Sequence, residues 1–188
     1  VTALRLNLGC GRNALPGWTN LDRVALRGVD VVADLEAPLP FAADSVETLL
    51  MCHVLEHIKD ALGLMQELHR IAQPGAQLQV HVPFGASDDA WEDPTHVRPY
   101  FLRSFSYFAQ PFYSRADYGY RGDWQPERIH LKVMREGNED LDPVAVMRRV
   151  TRERNVVAEM ICVMSAVKPI RLPLAELIAP PAITLGFE

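Results

Sequence analysis

Two glycines and two carboxylates stand first among the residues that could do chemistry. Gly9, Cys10 and Gly11 close a short apolar run that begins at Leu4 and includes Leu6 and Leu8. Asp22 follows Gly11 by eleven residues, and Asp34 follows Asp22 by twelve. Glycine lets a backbone approach a ligand closely, because no Cβ intervenes. A carboxylate at the carboxyl end of the next strand can accept from both hydroxyls of a ribose. Imidazoles come later, in His53-Val54-Leu55-Glu56-His57 and Asp93-Pro94-Thr95-His96. An imidazole titrating near ~6.5 can take a proton from a hydroxyl or an amine. Nucleotide binding beside proton transfer is the chemistry this set allows.

The elements needed to hold these residues can be read from periodicity. Leu4, Leu6 and Leu8 alternate as a first strand, and a tight loop fits residues 12–17, which contain Pro16 and Gly17. Residues 29–34 read as a third strand, and Val46–Cys52 is a near-continuous apolar run, as in a central parallel strand. Leu55, Ile58, Leu62, Met65, Leu68 and Ala72 recur at helical intervals until Pro74-Gly75. Leu78, Val80 and Val82 alternate as the following strand, ended by Pro83. Strands alternating with helical patterns predict an α/β fold with a Rossmann-like, doubly wound, mostly parallel sheet. Residues 128–134 and 156–167 fit a terminal antiparallel strand pair. One domain over residues 1–188 is expected, with a lid or insertion at about 84–124 and an apolar tail at 170–188.

The order of these landmarks resembles the class I S-adenosylmethionine-dependent methyltransferases, of the small type 11 kind. The resemblance rests on the glycine turn, Asp22, Asp34, Pro38-Leu39-Pro40-Phe41, the His53–His57 string and Gln73-Pro74-Gly75-Ala76. It implies S-adenosylmethionine as cofactor and transfer of its methyl group to a small-molecule acceptor through an O, N or C nucleophile. It also implies that Leu8, Gly9, Cys10 and Gly11 border the cofactor, that Asp22 holds the ribose, that Asp34 and Leu35 meet the adenine, and that Cys52 and His53 close the pocket. His96, then His57, are the candidate general bases. Asn7 stands where that family often has an acidic residue. A cofactor-binding module without turnover is the alternative, motivated by the missing helix at 12–17.

Other readings weaken on inspection. The string His53-x-x-Glu56-His57 also spells an inverted zinc-protease signature, but His53 falls at a strand end rather than inside a helix. A nicotinamide-binding turn would put its third small residue at Ala14 and open a helix there, where Pro16 and Gly17 instead predict a tight loop. A metal on Asp93, His96 and either His53 or His57 is conceivable, but no metal is expected. The net charge of −5 speaks against a nucleic-acid partner. No apolar run reaches the ~18 residues of a membrane span. Three cysteines suit a reducing compartment, so a cytoplasmic location is expected. The apolar tail is compatible with a homodimer.

Overall fold

The computed structural model describes residues 4–188. Its centre is an eight-stranded sheet in the order β3-β2-β1-β4-β5-β7-β6-β8. The strands are β1 (Leu4–Leu8), β2 (Thr19–Asp22), β3 (Val31–Val32), β4 (Val46–Cys52), β5 (Ala72–Pro83), β6 (Trp124–Val133), β7 (Val157–Ala166) and β8 (Ala182–Phe187). Strands β1 to β5 pair in parallel, and β7 runs antiparallel to both β5 and β6. The chain order reverses between β1 and β4, so a crevice opens beyond the carboxyl ends of these strands.

One face of the sheet carries the core. Leu6, Leu49, Leu78, Met164, Met51 and Val80 stand in register across four strands and are fully buried. Helix α1 (Ala61–Ile71) lies on that face: Trp124 of β6 donates its indole N–H to the Met65 carbonyl at 2.9 Å. The opposite face alternates with polar side chains. Gln77, Gln79 and Arg128 are exposed there, and Leu50, Ile161 and Val163 are half-buried. This explains why β5 reads as alternating rather than continuously apolar.

The helical pattern from Leu55 to Ala72 splits. A 3-10 turn covers Leu55–His57, and α1 starts only at Ala61. Asp60 caps α1 by accepting from the Gly63 amide at 2.9 Å, while the Glu36 carboxylate takes the Lys59 and Asp60 amides. A helix N-terminus leaves such amides unpaired, so a caps-and-carboxylate start fixes where the helix begins. Its end also falls earlier than Pro74-Gly75, at Ile71. Strand β3 is shorter than residues 29–34 because it is an edge, paired only with β2.

The loop at 12–17 holds its place without a helix. Buried Asn7 donates to the Asn13 carbonyl and to Asn20 Oδ1, both at 3.0 Å. Asn20 in turn takes the Leu15 amide and donates to the Leu15 and Trp18 carbonyls. Arg5 stacks its guanidinium over Trp18, 5.3 Å from the ring centre, and donates to the Gly17 carbonyl.

Residues 84–124 divide into two parts. Tyr100, Phe105, Phe108, Tyr113 and Tyr120 are buried in the main core. The stretch 94–97 instead reaches the crevice at the carboxyl ends of the strands. Beyond β7, Arg171 grips buried Asp123 with two side-chain hydrogen bonds of 2.7 and 2.8 Å, and β8 then adds to the edge of β6 in parallel.

Candidate active site

The crevice holds a cavity of about 630 Å³, in the range of a small-molecule site. Strand β1 ends in Gly9 with φ +64°, and Gly11 follows at φ +51°. A Cβ on Gly9 would stand 2.6 Å from Val54 Cγ2, so only glycine fits both the space and the backbone. A Cβ on Gly11 would meet open space, and its amide donates to Asp22 Oδ2 at 2.8 Å. Asp22 Oδ1 takes the Val24 amide at 2.9 Å. Two backbone amides thus orient the carboxylate at the end of β2, and each oxygen keeps a lone pair for a ligand hydroxyl. Asp34 is similarly turned by the Glu36 amide on Oδ1 at 2.9 Å.

Of the residues expected around the pocket, Gly9, Asp22, Asp34, Leu35, His53 and His57 line the cavity. The others lie elsewhere. The Leu8 side chain is fully buried in the core and Cys10 is nearly so. Gly11 borders the site through its bond to Asp22. Cys52 is exposed at the end of β4, outside the cavity wall. His96 stands behind His57, their rings edge to face with centres 4.8 Å apart.

Several wall residues were not singled out from the sequence. Val54 and Ile58 supply apolar wall, and Glu36 and Lys59 a charged rim; Thr95, from the Asp93–His96 string, adds a hydroxyl. Two hydrogen bonds close the 94–97 stretch over the 3-10 turn: the Val97 amide to the Glu56 carbonyl at 2.8 Å, and the Tyr100 hydroxyl to the Leu55 carbonyl. Thr95 Oγ1 sits 3.0 Å from His57 Nδ1 and donates to Asp93 Oδ1 at 2.6 Å.

His53 has a left-handed backbone, φ +54°, at the turn out of β4. Such strain in a non-glycine residue clusters at functional sites. Its Nε2 meets Glu159 at 2.9 Å and its Nδ1 meets Glu56 at 3.3 Å. These carboxylates, Glu159 foremost, push the His53 pKa up to about 9. Burial pushes the Glu159 carboxyl upward, but contacts from His53, His81 and Lys132 outweigh it and hold the group well below the ordinary range. Glu159 comes from β7 and Lys132 from β6, far along the chain from His53. The one sequence signal was an acid inside a mostly apolar strand.

Residues 17–80 match the model of the methyltransferase domain family. No curated protein sequence matches the chain. Among solved structures, a S-adenosylmethionine-dependent methyltransferase from Archaeoglobus fulgidus is similar with TM-score 0.58 and 14% identity, over 87% of this chain and 86% of that one. The YcgJ protein of Bacillus subtilis gives 0.56 and 14%, over 88% and 92%. A S-adenosylmethionine-dependent methyltransferase from Thermotoga maritima gives 0.56 and 15%, over 89% and 83%. At these identities the likenesses show the fold. The family match over residues 17–80 and this shared fold together support a likeness to the class I S-adenosylmethionine-dependent methyltransferases.

The methyltransferase-domain match and the fold support an enzyme that uses S-adenosylmethionine as cofactor. The donor set fits that molecule: a Cβ-free turn at the end of β1, and carboxylates at the ends of β2 and just beyond β3. Among the described residues, no helix is long and apolar enough to cross a membrane.

Proposed function

We propose that the acceptor is a small molecule, methylated at an O, N or C nucleophile held beside His57 and Thr95. The observation that carries this reading is that one cavity is lined both by Asp22 and Asp34 and by His57 and Thr95. S-adenosylmethionine, when bound, supplies a methyl group on a sulfonium. The protein's part is chiefly to hold the nucleophile in line at near-attack distance, which can be worth many orders of magnitude in effective concentration.

In this reading Asp22 accepts from the ribose hydroxyls, and Asp34 with the Leu35 amide meets the adenine. Val54, Ile58 and Val97 keep the reacting region apolar. Thr95 spends its only proton on Asp93, so it accepts from His57 Nδ1–H. That leaves His57 Nε2 bare to take a proton from the acceptor. His57 lines the cavity and His96 does not, so His57 is the better-placed base. Residues 94–97 act as the covering lip. Carboxylates in the wall and a net charge of −5 disfavour a polyphosphate acceptor. The exposed apolar side chains of the tail, Leu172 and Leu174 among them, support a homodimer.

The test is S-adenosylhomocysteine release with panels of small hydroxyl, amine and carbon acceptors, run beside RNA and protein. Turnover with small molecules is expected, and His57→Ala should lower kcat by ~10²-fold or more with cofactor affinity unchanged. Turnover with RNA or protein alone would overturn the small-molecule reading.

A further inference from the structure

Among the described residues, Glu56 has no hydrogen-bond partner on either carboxylate oxygen, although it is only 2% exposed. Among the described residues, its one counter-charge within 4 Å is His53 Nδ1, at 3.3 Å and outside hydrogen-bond alignment. A buried carboxylate left this bare is unusual, and a bound cation is one of the few things that explains it. Glu56, His57 and His96 each offer one donor atom, and those atoms lie within 4.8 Å of one another.

The two imidazoles are already held in the tautomer a metal needs. His57 Nδ1 faces the Thr95 hydroxyl, whose proton goes to Asp93, so Nδ1 must carry the hydrogen. His96 Nδ1 faces the Ala90 carbonyl at 3.2 Å, which can only accept. Each ring is left with its Nε2 lone pair uncommitted; the nearest acid to His96 Nε2 is Asp93 Oδ2, at 3.8 Å. A histidine ligand whose other nitrogen is fixed by a carbonyl or a carboxylate relay is the usual support of a metal centre.

We propose that Glu56, His57 and His96 bind one divalent transition-metal ion. Two neutral imidazoles and one carboxylate suit zinc, manganese, iron(II) or cobalt rather than magnesium or calcium. Glu56 takes the carboxylate place that the sequence alone suggested for Asp93. Three protein ligands leave at least one coordination position open. Donor atoms around an ion at ~2.1 Å stand about 3.4 Å apart, so the site must contract on loading. His96 can supply that movement, because it sits on the loop that follows Asp93 and Pro94.

The site stands on these side chains alone. What it would do rests on the proposed transfer: His57 also lines the cavity, so an open position there would take an oxygen donor of the acceptor. Hydroxyl-bearing acceptors would then be favoured, and activation would pass from the His57 lone pair to the ion.

The test is titration of the metal-stripped full chain with cobalt(II) and with zinc(II), followed by calorimetry and the visible cobalt spectrum. One equivalent should bind, with a cobalt band showing nitrogen ligation. Glu56→Gln and His96→Ala should each weaken binding by at least about tenfold, the lower end of what even outer-shell changes cost. His130→Asn, outside the cluster, should bind as wild type. Melting curves check folding; if Glu56→Gln does not fold, His96→Ala on the loop decides. Absence of stoichiometric binding, or binding unchanged in His96→Ala, overturns the proposal. S-adenosylhomocysteine binding on the same metal-stripped samples reads the cofactor site separately, so the two failures are distinguishable.

Discussion

At the scale of single residues, the glycine turn has a cost that can be measured. Gly9→Ala meets two penalties: the left-handed backbone, about 1–2 kcal/mol, and a Cβ pressed on Val54, ~1–3 kcal/mol more. Gly75→Ala has a similar φ, +78°, but nothing within 4 Å of its Cβ, so it should cost only the first. Urea unfolding should rank Gly9→Ala clearly below Gly75→Ala; equal losses would mean that Val54 yields freely. Glu159 gives a pH signature. Its folded pKa lies below the ordinary 4.5, so its stabilisation is present above about pH 4.5 and fades as pH falls further. Glu159→Gln should be less stable than wild type at pH 7 and should converge on it in acid. Parallel curves from pH 7 to pH 3 would remove Glu159 as a native-state charge hub. Asp22, Asp34 and the glycines were legible in the sequence because each sits a fixed distance after an apolar run. Glu159 was not, because its partners come from the turn after β4 (His53), from β5 (His81) and from β6 (Lys132).

Among the elements, the loop at 12–17 shows how a missing helix is replaced. Asn7 and Asn20 satisfy the loop's polar backbone from the sheet side: both are buried, Asn7 donates two hydrogen bonds from Nδ2, and Asn20 bonds through both ends of its amide. Asn20→Ala leaves the Leu15 amide and the Asn7 side chain without their acceptor. Each buried unpaired group costs about 1–3 kcal/mol, so a loss of ~2 kcal/mol or more in chemical denaturation is expected. A loss below half a kilocalorie would show that water satisfies the loop instead. The tight loop could be foreseen from Pro16 and Gly17. The role of Arg5 could not, because its partner Trp18 is brought beside it only by the β1–β2 pairing. The split between the 3-10 turn and α1 also escaped periodicity. The spacing of Leu55 and Ile58 fits a helix, whereas Asp60 and Glu36 decide where the amides are paired.

For the whole molecule, the mostly parallel sheet with its terminal antiparallel pair was legible as strands alternating with helical patterns, whereas the strand order was not. The aromatic stretch after Pro83 was harder to read, since a cover over the cavity and a layer in the core have the same composition. The structure puts most of its rings in the core and only residues 94–97 at the cavity. The partly open sheet face was signalled by Gln77, Gln79 and His81 alternating with apolar residues in β5. The central claim is that the crevice beyond β1, β2 and β4 is the S-adenosylmethionine site, organised by Asp22. Calorimetric titration with S-adenosylhomocysteine, on wild type and on Asp22→Ala, tests it most directly. Wild type should bind at micromolar or tighter affinity, and loss of a charge-assisted acceptor, worth about 1.5–3 kcal/mol, should weaken binding roughly tenfold or more. Absence of binding by wild type, or equal affinity in the variant, would contradict the account.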